Sequence, residues 1–256
     1  MGLAVGGEDD IERLRVVFTD REQPTELRLA AFADLLEADS DPEAAPRLAL
    51  ATLADDSEDP ALRSMALGSL KLEVFHSPTF AEWRPAYLDA LRAASRSAGE
   101  GLRVAAFEVL TAYRDPSSQA ALIHGLDGTG DVLVAPEQAL RMLADDPHSG
   151  VRDLANELVE TSTDPATRLE AVRVLSGDTD SVPRLRRLLL DGSELPAIRR
   201  MAATALGNLS PDELKQAVDE LPPRLDDTGF DLAVEVANAP SSDLDAHISG
   251  LLENLE

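Results

Sequence analysis

The groups that could act as nucleophiles, metal ligands or acid–base catalysts are unevenly supplied in this chain of 256 residues. Cysteine is absent, which removes disulfides, thiolate metal sites and cysteine nucleophiles. The four histidines are His76, His124, His148 and His247, and no two lie within four residues, so the i, i+4 pair of a helical zinc site is missing. Acidic groups recur as Asp39 and Asp41, as Asp55, Asp56, Glu58 and Asp59, and as Asp178 and Asp180. None has the glycine and terminal glutamate of a calcium loop, and solvated loop charge accounts for them. The glycine-rich segment 124–133, HGLDGTGDVL, lacks the lysine and hydroxyl residue of a phosphate-binding loop and follows no strand pattern; it reads as a loop between helices. No Gly-x-Ser-x-Gly elbow occurs. No catalytic, cofactor-binding or metal-binding set is therefore assigned, and no cofactor is expected.

Two clusters suit recognition better than reaction. Phe75, Phe80, Trp83 and Tyr87 fall within 13 residues of a chain that has only nine aromatic residues. Tryptophan and tyrosine are favoured anchors of protein interfaces. Phe80, Trp83, Tyr87 and Leu91 also share a helical spacing that suits a core, and Pro85, near the helix start, makes Trp83 the member expected at the surface. Arg184, Arg186, Arg187, Arg199 and Arg200 form a basic stretch in an acidic protein, either a patch for an acidic partner or a solvated face. The partner-binding candidates are thus Phe80, Trp83, Tyr87, Arg184, Arg186, Arg187 and Arg200.

These residues must be held by helices, because the chain repeats a helical pattern. Arg-x-x-Ala-x-x-x-(Leu/Val) occurs six times, at Arg28-Ala31-Leu35, Arg63-Ala66-Leu70, Arg103-Ala106-Leu110, Arg152-Ala155-Val159, Arg168-Ala171-Leu175 and Arg199-Ala202-Leu206. The preceding residue is apolar in five copies, with Thr167 the exception. Offsets of −1, +3 and +7 lie on one helical face, and alanine at +3 lets a neighbouring helix approach closely. Asp41-Pro42, Asp59-Pro60, Asp146-Pro147, Asp164-Pro165 and Ser210-Pro211 mark helix starts, where the first residue caps and proline fits the first turn. Gly177 and Gly207 mark expected left-handed stops.

Helices read between these marks fall into pairs. The first members lie near 24–38, 60–72, 100–113, 135–144, 165–176, 196–208 and 227–238; the second lie near 42–55, 79–97, 116–125, 149–161, 181–190, 210–220 and 241–255. A lone helix near 8–18 covers the N-terminal end. Arg152 is only 16 residues before Arg168, so it is placed on a second helix that shares the pattern.

Stretches such as DPATRLEAVRVLSG at 164–177 and ELPAIRRMAATALGNLS at 194–210 resemble HEAT repeats. Pro196, Ile198, Arg199, Ala202, Ala205, Leu206 and Gly207 fill the family pattern in one copy; Asp164, Pro165, Arg168, Ala171 and Leu175 fill it in another; Asp59, Pro60, Leu62, Arg63 and Ala66 fill it in a third. The resemblance is best at 59–71 and 164–220 and weakest at 114–150 and after 222. It implies an all-α, right-handed α-solenoid of about seven antiparallel helical hairpins in a single domain over 1–256. The repeated arginine sits in a first helical turn, where the macrodipole disfavours a cation by about 0.3–1 kcal/mol. The resemblance implies the offset: these arginines pair with acidic residues near helix starts in a ladder between repeats, with Asp59 and Asp164 at hand. Arg28, Arg63, Arg103, Arg168 and Arg199 are the ladder set.

A formal net charge of −25 opposes nucleic acid and anionic membranes and favours a basic protein partner. No apolar run is long enough for a bilayer and no signal peptide is seen at the start, so a cytoplasmic protein is expected. The leading expectation is a non-catalytic scaffold or adaptor that binds protein on its curved surface. Two other classes stand beside it. One is a HEAT-like enzyme, an alkylpurine DNA glycosylase or a bilin lyase, the former opposed by the charge. The other is an acidic mimic of nucleic acid.

Overall fold

The computed structural model describes residues 8–38, 43–76, 79–97, 99–146 and 148–221, without the side chains of Glu8, Phe75 and His76. The helices expected near 227–238 and 241–255, the Asp41-Pro42 start and His247 lie outside these residues. The described residues form thirteen α-helices and no strand. They are α1 (Glu8–Thr19), α2 (Thr25–Ala38), α3 (Ala44–Ala54), α4 (Pro60–His76), α5 (Phe80–Ala94), α6 (Glu100–Ala112), α7 (Pro116–Leu126), α8 (Pro136–Ala144), α9 (Val151–Thr161), α10 (Pro165–Leu175), α11 (Val182–Leu190), α12 (Pro196–Leu209) and α13 (Pro211–Glu220). The fold is an all-α solenoid, and every helix expected within the described residues is present. The chain divides into two compact units, Met1–Val134 and Ala135–Glu256.

Local chemistry sets the helix ends. Asp164 accepts from the Thr167 N–H at 2.8 Å while Pro165 occupies the first turn of α10. Asp115 does the same for α7 through the Ser118 N–H at 3.0 Å, with Pro116 behind it. The glycine stops differ from expectation. Neither Gly177 nor Gly207 is among the described residues with positive φ, and Gly207 is buried inside α12. Left-handed residues just past a helix end are instead Gly128 after α7, with φ of 76°, and Arg114 after α6, with φ of 54°. There the Arg114 N–H reaches the Thr111 carbonyl at 2.8 Å and the Asp115 N–H reaches Leu110 at 2.9 Å, the paired bonds of a Schellman motif. A side chain in that region is strained relative to glycine. Arg114→Gly is therefore expected to raise stability by about 0.5–1 kcal/mol in urea unfolding; a loss would show that the arginine side chain has an overriding role.

The repeated face is buried as its spacing requires. Ala31, Ala66, Ala106, Ala155, Ala171 and Ala202 are buried at +3, and Leu35, Leu70, Leu110, Val159, Leu175 and Leu206 at +7. The −1 position holds a surprise. Thr167, the apparent exception, is buried, its hydroxyl donating to Asp164 at 2.6 Å, whereas Leu27 is 48% exposed.

Helix pairing also differs from the sequence reading. Each arginine-bearing helix packs most extensively on the helix before it: α2 on α1, α4 on α3 and α6 on α5 in the first unit, α10 on α9 and α12 on α11 in the second. The helix at 8–19 is thus the tight partner of α2. Arginine helices also stack on one another, α2–α4–α6 in one unit and α10–α12 in the other, where α8 packs on α10 as well, while α3 packs beside α5 and α11 beside α13. Arg152 is exposed on α9, the helix that precedes an arginine helix, as its spacing suggested.

The arginines account for the pairing. Arg28 Nε donates to the Phe18 carbonyl at 2.9 Å, Arg63 to Leu53 at 3.1 Å, Arg168 to Val159 at 3.0 Å and Arg199 to Leu189 at 3.0 Å. Arg103 donates to Ser97 at 2.8 Å and to Leu133 at 2.5 Å. In four of the five the charge leaves the positive end of its own helix and lies on carbonyls in the last turn of the preceding one, the negative end of a dipole. The acids involved are not Asp59 and Asp164. Arg28 holds Glu58 through two bonds of 2.9 and 2.6 Å, Arg63 holds Asp56 at 2.9 Å, and Arg168 holds both oxygens of Glu194. Asp59 is engaged by the Ala61 N–H at 2.8 Å and the Thr25 hydroxyl at 3.0 Å, and Asp164 by Thr167. These aspartates act as turn and cap acceptors.

Candidate functional site

The most distinctive feature of the first unit is a groove of about 210 Å³ at the starts of α3 and α5. Its walls are Glu43, Pro46, Arg47 and Leu50 on one side and Thr79, Glu82 and Trp83 on the other. The sequence makes it by giving α3 more apolar surface than one packing face needs. Pro46, Ala49 and Leu53 are buried, which leaves Leu50 half-buried beside them, with exposed Arg47 one turn away. On α5, Tyr87, Ala90, Leu91 and Ala94 take the core face. Trp83, one turn before Tyr87, stays half-buried. Pro85 lies inside α5, where it lacks the N–H that would bond the Ala81 carbonyl.

Trp83 is set on an aromatic base. Its ring lies 4.7 Å from that of Phe80 at 82° and 5.9 Å from that of Tyr87 at 71°, both edge-to-face. Phe80 is half-buried and contacts Tyr113 at 6.4 Å, and the Arg84 guanidinium covers the Tyr113 ring at 5.1 Å. Tyr87 is 0% exposed, so it cannot touch a partner as the sequence reading proposed; it supports Trp83 from within the core. Burial raises the Tyr87 hydroxyl well above its ordinary value near 10, with the neighbouring Tyr113 adding to the shift. That hydroxyl has no hydrogen-bond partner among the described residues. The side chain of Phe75 is outside the described residues.

The groove has a defined charge pattern. Glu43 and Arg47 form an i, i+4 ion pair at 2.9 Å on α3. Glu82, in the first turn of α5, is exposed and makes no ion pair among the described residues. Two carboxylates and one guanidinium thus line a half-apolar cleft. Sequence reasoning found Trp83 but missed Glu43, Arg47 and Leu50. The available signal was the AAPRLALATLA run of α3, where apolar residues extend around the helix beyond one face.

The basic stretch is arranged differently. Arg184 and Arg187 both hold Glu160, the former at 2.7 Å, while Arg186 reaches Glu220 at 2.5 Å and Glu213 at 3.5 Å. These pairs link α9 to α11 and α11 to α13. Arg184, Arg186 and Arg187 are therefore each engaged by a glutamate of a neighbouring helix within the second unit. Arg199 is buried at the helix end described above. Arg200 is exposed and has no ion pair among the described residues.

Other chemistry read from the sequence resolves into loop structure. In the 124–133 segment the Gly130 N–H bonds the His124 carbonyl at 2.8 Å, and Asp127 accepts from the N–H and hydroxyl of Thr129 at 2.8 and 2.6 Å. Gly128 has φ of 76°, and a Cβ at Gly125 would lie 2.9 Å from the Asp131 carbonyl oxygen, so both glycines serve a tight turn. Asp55 and Asp191 close similar turns onto Ser57 and Ser193, whose hydroxyls and amides hold both carboxyls below the usual aspartate value. Among the described residues no three His, Asp or Glu side chains are grouped to hold a metal ion, and no helix is long and apolar enough to cross a membrane.

Residues 151–238 match a family model described as HEAT repeats. The matched stretch takes in α9 to α13. No curated protein and no solved structure matches the chain.

Proposed function

We propose that this member of the HEAT-repeat family is a protein-binding scaffold whose docking point is the α3–α5 groove, with Trp83 as its anchor. The carrying observation is the half-buried tryptophan on the wall of a cleft, backed by Phe80 and Tyr87. Interfaces draw most of their affinity from a few aromatic anchors on a rigid base, with surrounding charge setting the sign of the partner and the association rate. A chain of net charge −25 favours a basic partner. Arg28, Arg63, Arg168 and Arg199 are assigned to holding helix ends, Arg103 to tying the Ser97 and Leu133 carbonyls, and Arg184, Arg186 and Arg187 to linking helices. Arg200 remains as a secondary contact.

The test compares partners captured by the wild-type chain with those captured by Trp83→Ala and Leu50→Glu, which alter opposite walls of the groove. Both variants are expected to lose a common partner by at least about tenfold, the loss of one buried aromatic anchor, with helical circular dichroism unchanged. Capture of an identical partner set by all three would remove the groove as the docking point.

A further inference from the structure

We propose, resting on that reading, that the groove takes the side chain of an arginine presented by a basic partner segment. The cleft of about 210 Å³ is smaller than the roughly 300–1,000 Å³ of small-molecule sites and suits one long side chain. Its walls change character as that side chain does. Pro46, Leu50 and Trp83 offer apolar surface for an aliphatic stem, and Glu82 offers a carboxylate for a cationic head. Arg47 would repel such a head, but Glu43 neutralises it at 2.9 Å, which leaves Glu82 as the uncompensated charge of the cleft. A guanidinium suits the indole beside Glu82 better than an ammonium, because it is planar, weakly hydrated and able to stack on an aromatic face while donating to a carboxylate. The same arrangement occurs in this chain where the Arg84 guanidinium lies over the Tyr113 ring. The field of a protein with 48 acidic and 23 basic residues adds long-range attraction for a cationic segment.

Trp83 is the only tryptophan in the chain, so its indole N–H gives one NMR resonance that reports on the groove alone. The full chain is titrated at constant ionic strength with three capped amino-acid amides: arginine, citrulline as its neutral isostere, and leucine. Arginine amide is expected to move the Trp83 resonance in a saturable way, with citrulline and leucine amides at least about fivefold weaker. Glu82→Gln is expected to weaken the preference for arginine over citrulline while leaving the resonance of the free protein nearly in place. Equal response to arginine and citrulline, no response to arginine, or an undiminished preference in Glu82→Gln would each overturn the assignment. Loss of partner capture in Trp83→Ala together with a leucine-selective titration would leave the docking groove standing and remove only the arginine.

Discussion

Alanine in place of Arg28 is expected to lower the unfolding free energy of the first unit by about 3–5 kcal/mol, the cost of leaving a buried charge without its partner. The side chains of Arg28 and Glu58 are only 6% and 8% exposed. Three bonds leave the guanidinium, one to the Phe18 carbonyl and two to Glu58, and its Cζ also lies 5.9 Å from the centre of the Phe18 ring. Burial drives the Glu58 carboxyl up, yet Arg28 and the Asp59 amide outweigh it and hold the group below its usual value. Removing the arginine therefore strands a carboxylate and frees a carbonyl at the end of α1. The measurement is urea unfolding followed by the fluorescence of Trp83, which lies in the same unit. Arg28→Met combined with Glu58→Gln should recover more than half of the loss, because the desolvated charge is then gone. A single-variant loss below about 1 kcal/mol would class the pair with surface ion pairs and refute its role in holding α1, α2 and the start of α4 together.

Asp115→Ala should cost about 2–4 kcal/mol, by loss of a helix cap and of a largely buried ion-pair partner. Asp115 is 4% exposed and accepts five hydrogen bonds. Arg92 supplies two of 3.0 and 2.5 Å from α5, Ser117 one of 2.6 Å, and Ser118 two of 3.0 and 2.9 Å at the start of α7. One side chain thus ties the end of α6, the start of α7 and the side of α5. Asp115→Asn keeps a competent cap and should lose about half as much. The charge gives this prediction a pH signature. Burial raises the Asp115 carboxyl, but the Arg92, Ser117 and Ser118 donors prevail and hold it far below the ordinary 3.8. A carboxyl depressed in the folded state contributes stability that is present above its unfolded value and lost as pH falls toward the folded one. The stability gap between the wild type and Asp115→Asn should be constant from pH 7 to about 5 and narrow below about 4. A gap that widens on acidification would mean that the charge is not what Arg92 reads.

Helix positions and the buried face were legible because both are short-range properties. An arginine, an alanine three residues on and a leucine four further share one face whatever surrounds them, and an Asp-Pro step starts a helix from its own dihedral and hydrogen-bond preferences. Arg28-Ala31-Leu35 and Asp164-Pro165 could therefore be read from the chain alone, and so could the solenoid class. Trp83 could be singled out in the same way, since Pro85 and the period of Phe80, Trp83 and Tyr87 are local.

Tertiary structure decided what depends on reach. Asp59 is closer to Arg63 in sequence than Asp56 is, yet it accepts from the Ala61 N–H and the Thr25 hydroxyl, while the guanidinium is held by Asp56 and the Leu53 carbonyl. In four of the five copies those carbonyl bonds couple the arginine helix to the helix before it, a contact between groups nine or ten residues apart that helix positions alone do not specify. Arg184, Arg186 and Arg187 looked like a patch because their neutralising glutamates, Glu160, Glu213 and Glu220, lie 24 to 34 residues away. The groove itself has one wall on α3 and the other on α5, so its Glu43, Arg47 and Leu50 side became visible only when packing set α3 beside Trp83.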